Sequence, residues 1–307
     1  MIKDLISVII PTYNWSSVLK LAIKTALWQT YKNIEVIVVG DCCTDDSEEV
    51  VKSFNDSRLK WINLDKNHGS QAIPNNYGIK MAQGEFIAHL GHDDVWHPKH
   101  LEYLINSISN AKFAHSLSIA IGPENEESVF KNLKIISGFN VFDNKDNEIL
   151  FVPPSSWMYR ASVIEKVGYW LDHNDTILPP DAYFLTKIQE HFPNETACSK
   201  KLTIAKFPSA WRRNSYIVKP THDQEKVLEL IEKNSHYLDF YMAKYLEQNS
   251  KLAKFTPFMD LYADKSYEVL SLFFKENVPQ SQVIKENEKE KGMGVKKSRI
   301  YRGLEKP

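Results

Sequence analysis

Two aspartates stand side by side, Asp93 and Asp94, just after an apolar run from Phe86 to Leu90 that breaks at Gly91 and just before a segment opened by Pro98. A buried parallel strand ending in a tight acidic turn gives this pattern. It would deliver both carboxylates to the strand's carboxyl end, where open α/β sheets place their ligands. Adjacent carboxylates repel, so a cation is expected beside them, and a divalent ion carrying a diphosphate fits that need. Hard carboxylate oxygens favour Mg²⁺ or Mn²⁺. The plain alternative is that Asp93 or Asp94 caps the helix after Pro98. Four histidines crowd the same stretch, His89, His92, His97 and His100. Zinc is set aside, because strand-to-turn spacing does not converge these rings and no cysteine joins them.

The elements that would carry this turn read clearly. Leu5–Ile10, Ile34–Val39, Leu59–Leu64 and Glu85–Leu90 are short apolar runs with the character of buried strands. Between them, Trp15–Thr30, the segment from Ser47 to about Phe54, and Gly69–Met81 have helical character, although Pro74 and Gly78 weaken the last. Strand and helix alternate through the first hundred residues, which predicts a doubly wound, mostly parallel α/β sheet. Further on, Pro98–Ser109 reads as a helix, Phe113–Ile121 as a strand, Gly122–Leu150 as irregular, Ser162–Val167 and Asp181–His191 as helices, and Leu202–Phe207 as strand-like. The domain division predicted is 1–219, with a first half of about 1–98 and a second of about 99–219, and then a helical extension over 220–307. Residues 222–275 are rich in large apolar side chains, and the last thirty residues are a Lys/Glu-rich tail.

Composition narrows the class. The chain has 307 residues, 43% hydrophobic, enough for one large α/β domain with an appendage. A formal net charge of −1 gives no electrostatic argument for a nucleic-acid partner. Cys42, Cys43 and Cys198 make neither a disulfide framework nor a zinc spacing. The expectation is a reduced, cytoplasmic protein, in contact at most with the inner face of a membrane. The N-terminus lacks the apolar core of a signal peptide, and no run approaches the ~20 apolar residues of a membrane span.

Ser7-Val8-Ile9-Ile10-Pro11-Thr12-Tyr13-Asn14, followed by Glu35–Gly40-Asp41 and Asp45-Asp46-Ser47, resembles the start of the family 2 glycosyltransferases of GT-A, Rossmann-like fold. Asn67-His68-Gly69, Asn76-Tyr77-Gly78, Gln83-Gly84-Glu85-Phe86, His92-Asp93-Asp94 and Met158–Gly168 continue the likeness in order, over about residues 4 to 215. The resemblance implies inverting transfer of a sugar from a nucleotide diphosphate sugar, UDP favoured, to a saccharide or lipid-linked acceptor. Surface polysaccharide assembly is the expected setting. It implies nucleotide-sugar contacts at Pro11, Thr12, Tyr13, Asn14, Asp41, Asn67, Gly69, His92, Asp93 and Arg212. Within these, Tyr13 would face the base and Asp41 would accept from a pyrimidine N3–H. Asp93 is the expected ligand of Mn²⁺ or Mg²⁺, with Asp94 second. Asp181, at the start of a helix, is the expected base for the acceptor hydroxyl, with Asp172 and Asp175 behind it. Ser155, Ser156 and Trp157 are expected on the acceptor side.

Plain alternatives stand beside these roles: a packing tyrosine, a helix cap for Asp41 or Asp181, a surface charge for Arg212. The sequence departs from the family pattern at Gly91, where an aspartate is usual, at Pro180, where an acid is common, and at Asn214, in place of a histidine. The Gly91 and Pro180 departures support a competing expectation, a binding or scaffold protein that keeps the fold without turnover. A nucleotidyltransferase is disfavoured, because Thr12-Tyr13-Asn14-Trp15 is not a Gly-rich phosphate loop. For 220–275, packing on the core is preferred. Covering the acceptor groove, a homodimer contact, or a peripheral membrane contact through Phe258, Tyr262, Phe273 and Phe274 are the other uses considered.

Overall fold

The structure, a computed structural model, describes residues 1–124, 134–137, 152–249, 299 and 302–304. In chain order these form β1 (Ile2–Thr12), α1 (Ser16–Leu27), β2 (Ile34–Gly40), α2 (Ser47–Ser53), β3 (Leu59–Asn63), α3 (Ala72–Met81), β4 (Gly84–His89), β5 (Val95–Trp96) and α4 (His100–Ile108). Then follow β6 (Phe113–Ile121), β7 (Lys134–Ser137), β8 (Trp157–Arg160), α5 (Ile164–Val167), α6 (Pro180–His191), β9 (Thr196–Lys206), α7 (Ser215–Val218), α8 (His222–Lys233) and α9 (Tyr237–Asn249).

The strands join one sheet in the order β3-β2-β1-β4-β8-β6-β9-β5, with β7 beside β6. β3, β2, β1, β4, β6 and β9 run one way, and β8, β5 and β7 run against them. Alternate residues of β1 explain the layers. Ile6, Val8 and Ile10 point into a core shared with Leu19, Ala22 and Ile23 of α1 and Leu101 and Leu104 of α4. Ile9 points the other way, to Ala72 and Ile79 of α3 and Phe184, Leu185 and Ile188 of α6. Both faces are therefore covered, as a doubly wound sheet requires.

Several boundaries differ from the sequence-based expectation. α3 begins at Ala72 rather than Gly69, and Pro74 is tolerated because it falls in the first turn, where the N–H has no helical partner. β5 and β8 escaped the pattern: two residues are too few to show a period, and Trp157-Met158-Tyr159-Arg160 does not alternate. Part of the stretch expected to be irregular forms β7. α8 and α9 are no free appendage, since Val227, Leu228, Ile231 and Leu238 pack with Val95, Leu117, Ile119, Leu202 and Phe207 of the sheet. Phe258, Tyr262, Phe273 and Phe274, like most of the Lys/Glu-rich tail, lie outside the described residues. Among the described residues, no helix is long and apolar enough to cross a membrane.

A buried carboxylate stitches the central strands at the edge opposite the acidic turn. Glu35 of β2 accepts from Ser7 Oγ of β1 at 2.6 Å, from the Gln83 amide before β4 at 2.7 Å, and from Lys60 Nζ of β3 at 2.7 Å. Burial opposes its charge, yet the Lys60, Ser7 and Gln83 donors together hold its pKa below the usual value. A carboxylate with a depressed folded pKa contributes stability above its unfolded pKa, ~4.3, and loses it as pH falls through the folded one. Glu35→Ala leaves buried donors unmatched and should cost about 2–3 kcal/mol in urea unfolding at pH 7. The gap between the variant and the parent should narrow below about pH 4, where Glu35 takes up a proton. An unchanged gap down to acid pH would mean that the Glu35 charge contributes nothing.

Candidate functional site

The register fixes where a site can form. Thr12 of β1 pairs with Gly40 of β2, and Ile9 with His89 of β4, so the three parallel strands end on one rim. β1 lies between β2 and β4, which places the crevice of an open α/β sheet above its end. β9 runs parallel to β6 and ends on the same rim at Lys206.

The acidic turn is braced from below. Ser155 Oγ accepts from the Gly91 amide at 2.9 Å and donates to Asp94 at 2.5 Å. Asp94 is buried and also accepts from the Phe207 amide at 3.0 Å and from Lys206 Nζ at 3.2 Å. Both its oxygens are thus held by protein donors. Asp93 is half-buried and hydrogen-bonds to its own backbone amide. Burial raises its pKa, against the pull of Lys206, Arg212 and Arg302. Gly91 explains one departure from the family pattern. A Cβ there would come within 3.0 Å of an Asp94 oxygen and 3.3 Å of an Asp93 oxygen, so a third carboxylate would crowd the other two.

Lys206 is the group that sequence reasoning missed. Burial acts to lower its pKa, but Asp94, Asp93 and Asp181 outweigh it and hold the ammonium charged. Its only signal in the sequence was position, at the polar end of an apolar strand. Asp181 follows Pro180 in the first turn of α6, where the helix dipole favours an anion. Its carboxylate accepts from the Ala182 amide at 3.0 Å, and burial raises its pKa while Ala182 and Lys206 oppose the rise. Lys206 therefore pairs with Asp94 at 3.2 Å and acts electrostatically on Asp93 and Asp181. Asp172 instead pairs with His173 and turns back on Asn174, and Asp175 is exposed.

On the side of β1 and β2, His92 ties the motifs together. Its Nδ1 lies 2.8 Å from Thr12 Oγ1 and its Nε2 3.1 Å from Tyr216 Oη. Burial lowers its pKa to about 4, so the ring is neutral at pH 7. Tyr216 lies edge-on to Trp15 at 5.2 Å and faces Tyr13 at 6.4 Å between centroids. Burial raises the Tyr216 pKa to about 12. Pro11 lies just before Thr12, in the last turn of pleat of β1. Asn14, in the left-handed region at φ 43°, accepts from the Thr44 amide at 2.7 Å and so shapes the loop after β2. Asp41 is buried and accepts from the His68 amide at 2.9 Å, the Gly69 amide at 3.1 Å and His68 Nδ1 at 2.9 Å. Asn67 is exposed beside this loop.

Three placements revise the sequence-based roles. Arg212, expected at the diphosphate, is buried and donates to Asp223 at 2.8 Å and to the Ile121 carbonyl at 3.1 Å, so it braces the base of the site. Ser155, Ser156 and Trp157, expected on the acceptor side, are all interior. Ser155 holds the acidic turn, Ser156 donates to the Pro153 carbonyl, and Trp157 packs against His89, Trp170 and Phe184. Asp94 is spent on Ser155, Lys206 and Phe207, which leaves Asp93 as the acid available to an ion. Asn214 adopts a left-handed cap before α7, a conformation that asparagine accepts readily.

Whether these residues suit a divalent ion can be judged from the donor set. Among the described residues, no group of three or more His, Cys, Asp or Glu is placed to hold an ion. A single half-buried carboxylate fits an ion that keeps waters and arrives with phosphate oxygens, the usual manner of Mg²⁺.

Comparison with known proteins places the chain in a family. An uncharacterized glycosyltransferase of Rickettsia conorii is 34% identical over 186 residues, 59% of this chain and 27% of the relative. The Escherichia coli enzyme WfaP, named a UDP-Glc:α-D-GlcNAc-diphosphoundecaprenol β-1,3-glucosyltransferase, is 35% identical over 115 residues, 38% of this chain and 45% of that one. The matched part spans 27% and 52% of the length of two Rickettsia relatives, so the chain corresponds to only part of them. The structure of S. aureus TarS 1–349 in complex with UDP-GlcNAc superposes with a TM-score of 0.55 at 19% identity, covering 97% of this chain and 90% of TarS, a likeness of fold. With the glycosyl transferase family 2 model matching residues 7–168, more than half of its length, the chain belongs to glycosyl transferase family 2 and has the GT-A fold.

Proposed function

We propose that the chain is an inverting glycosyltransferase that moves a sugar from a nucleotide diphosphate sugar, UDP favoured, to a saccharide or lipid-linked acceptor. The observation that carries this reading is the acidic turn at the sheet's rim, where Asp94 is pinned by Ser155, Lys206 and the Phe207 amide and His92 bonds to Thr12, with Lys206 acting electrostatically on Asp93 and Asp181. The family membership supports it, as does the name of WfaP, a glucosyltransferase of a UDP-sugar and a diphosphoundecaprenol-linked acceptor. Surface polysaccharide assembly is the corresponding setting. We take residues 1–219 as the transferase body, with about 1–98 serving the nucleotide sugar and about 99–219 the acceptor.

In this mechanism Tyr13 offers its ring to the base, and Asp41 with the Asn67–Gly69 loop forms the wall behind it. Asp93 would hold Mn²⁺ or Mg²⁺ together with the donor phosphates, where the ion offsets charge on the departing diphosphate. Asp181 takes the proton of the acceptor hydroxyl as that oxygen attacks the anomeric carbon from the face opposite the leaving group. Lys206 opposes the burial-driven rise of the Asp181 pKa, and its pairing with Asp94 holds the turn that presents Asp93. The competing reading, a scaffold without turnover, rests on Gly91 and Pro180. Release of UDP from UDP-GlcNAc or UDP-Glc by the purified chain with Mn²⁺ separates the two, since a scaffold releases none.

Asp181→Ala should lower transfer by about 10²–10⁴-fold while leaving UDP affinity within about twofold, as removal of a general base does. Asp93→Ala should weaken both transfer and Mn²⁺-dependent UDP binding. Full turnover in Asp181→Ala would take the base role from that residue.

The pH profile provides a separate test. The raised Asp181 pKa places the acid limb of kcat/KM above the pH at which an ordinary aspartate loses its proton, because the base acts only when ionised. Lys206→Met removes a cation that opposes this rise, so the limb should move to higher pH. A limb that stays in place in Lys206→Met would show that this ammonium does not act on the base.

A further inference from the structure

Beyond the family's body, the far end of the chain comes back to the same rim. The Tyr216 amide donates to the Arg302 carbonyl at 3.1 Å, and Arg302 Nη1 donates to Ser209 Oγ at 3.3 Å. The Arg302 guanidinium lies 5.7 Å from the centroid of the Tyr216 ring, whose hydroxyl meets His92. Gly303, at φ 79°, lets the chain pass so close to α7 that a Cβ there would stand 2.7 Å from the Ile217 side chain. Arg299 reaches the other side of the crevice. Its Nη1 donates to the Gly69 carbonyl, in the loop whose amides are held by Asp41. Gly69 itself, at φ 79°, has the Arg299 guanidinium 3.0 Å from where a Cβ would be. The two arginines thus flank the span between the Asp41 loop and the Tyr216–His92–Asp93 turn.

We propose that Arg299 and Arg302 belong to the donor site and bind the diphosphate of the nucleotide sugar. This deepens the glycosyltransferase reading and rests on it. The charge inventory points the same way. Arg212 is committed to Asp223 in the interior, and Lys206 to Asp94. Asp41 and Asp93 add negative charge to the crevice that a diphosphate would enter, so cations from outside the body are needed beside any ion. A planar guanidinium seated on an aromatic face suits phosphate, because the stack fixes the orientation of a fork that matches phosphate oxygens. Arg302 is also close enough to act electrostatically on Asp93 and His92, and Arg299 on Tyr216. The site predicted from the first 215 residues would therefore be incomplete without residues near 300.

The test uses the whole 307-residue chain with Mn²⁺ and three probes, UDP, GDP and uridine, followed by titration calorimetry. Wild-type binding of UDP decides the donor reading itself. If neither UDP nor GDP binds, that reading falls, and the arginine assignment with it. Given binding, Arg299→Ala and Arg302→Ala should each weaken UDP by about tenfold, the size of a lost charge-assisted contact. Uridine, which lacks phosphate, should change by less than about twofold. Arg302→Lys should recover only part of the loss, since the ammonium keeps charge and loses the fork. UDP affinity unchanged in the double alanine variant would overturn the assignment, and so would equal losses for UDP and uridine. Melting curves check that the variants fold, and Arg→Gln replacements carry the same comparison if the alanine forms do not.

Discussion

The site depends on one shared cation. Two unit charges of like sign about 4 Å apart repel by about 4 kcal/mol at an effective dielectric of ~20, and three carboxylates in a part-buried crevice multiply that cost. Lys206 lets them coexist. It donates to Asp94 directly and holds its own charge through Asp94, Asp93 and Asp181 together. The consequence is a division of labour. Asp94 is fully engaged by Ser155, Lys206 and the Phe207 amide, so it anchors the turn to the end of β9. Asp93, one residue earlier, is left outward. Adjacent acids in sequence thus differ in space, one a buried strut and the other half-buried beside it.

The same division explains what was legible beforehand and what was not. The sheet could be read because Ile6, Val8 and Ile10 with Ile9 make runs buried on both faces, and such runs look alike in any parallel core. Asp93 and Asp181 could be singled out from local pattern, each at a strand or helix end. Roles that depend on long-range partners could not. Arg212 follows an aromatic residue as an exposed phosphate ligand would, but Asp223 and the Ile121 carbonyl draw it inside. Ser155 and Trp157 were expected on the acceptor side, but Trp157 opens β8, which pairs with β4 and β6, each about forty or more residues away in sequence. Lys206 was invisible because its three partners come from two other elements. Arg299 and Arg302 lie in a Lys/Glu-rich stretch whose composition predicts only solvation.

The departures from the family pattern look different once neighbours are known. Gly91 leaves room for Asp94 to turn inward toward Ser155, a path that a side chain at 91 would obstruct. Pro180 opens α6 at a position where proline is well tolerated, and Asp181 then falls in the first turn with its carboxylate on the Ala182 amide. Asn214 takes the left-handed cap that lets Tyr216 swing its ring between Tyr13 and Trp15. Each substitution has a local structural reason, so none of the three requires a lost active site to account for it.

The surroundings set how strongly these charges act. His92 is neutral, with its pKa lowered to about 4 by burial, and Tyr216 keeps its proton, with its pKa raised to about 12. Trp15 closes the floor beneath them. A wall of uncharged aromatic groups lowers the local dielectric, which strengthens any ionic contact made against it. The sheet therefore does more than hold carboxylates apart. By ending β1 at Thr12 and β4 at His89, it lets the turn after β4 place the hydrogen-bonded, uncharged His92 ring next to Asp93. An ion or a guanidinium arriving there meets a partner that water screens poorly.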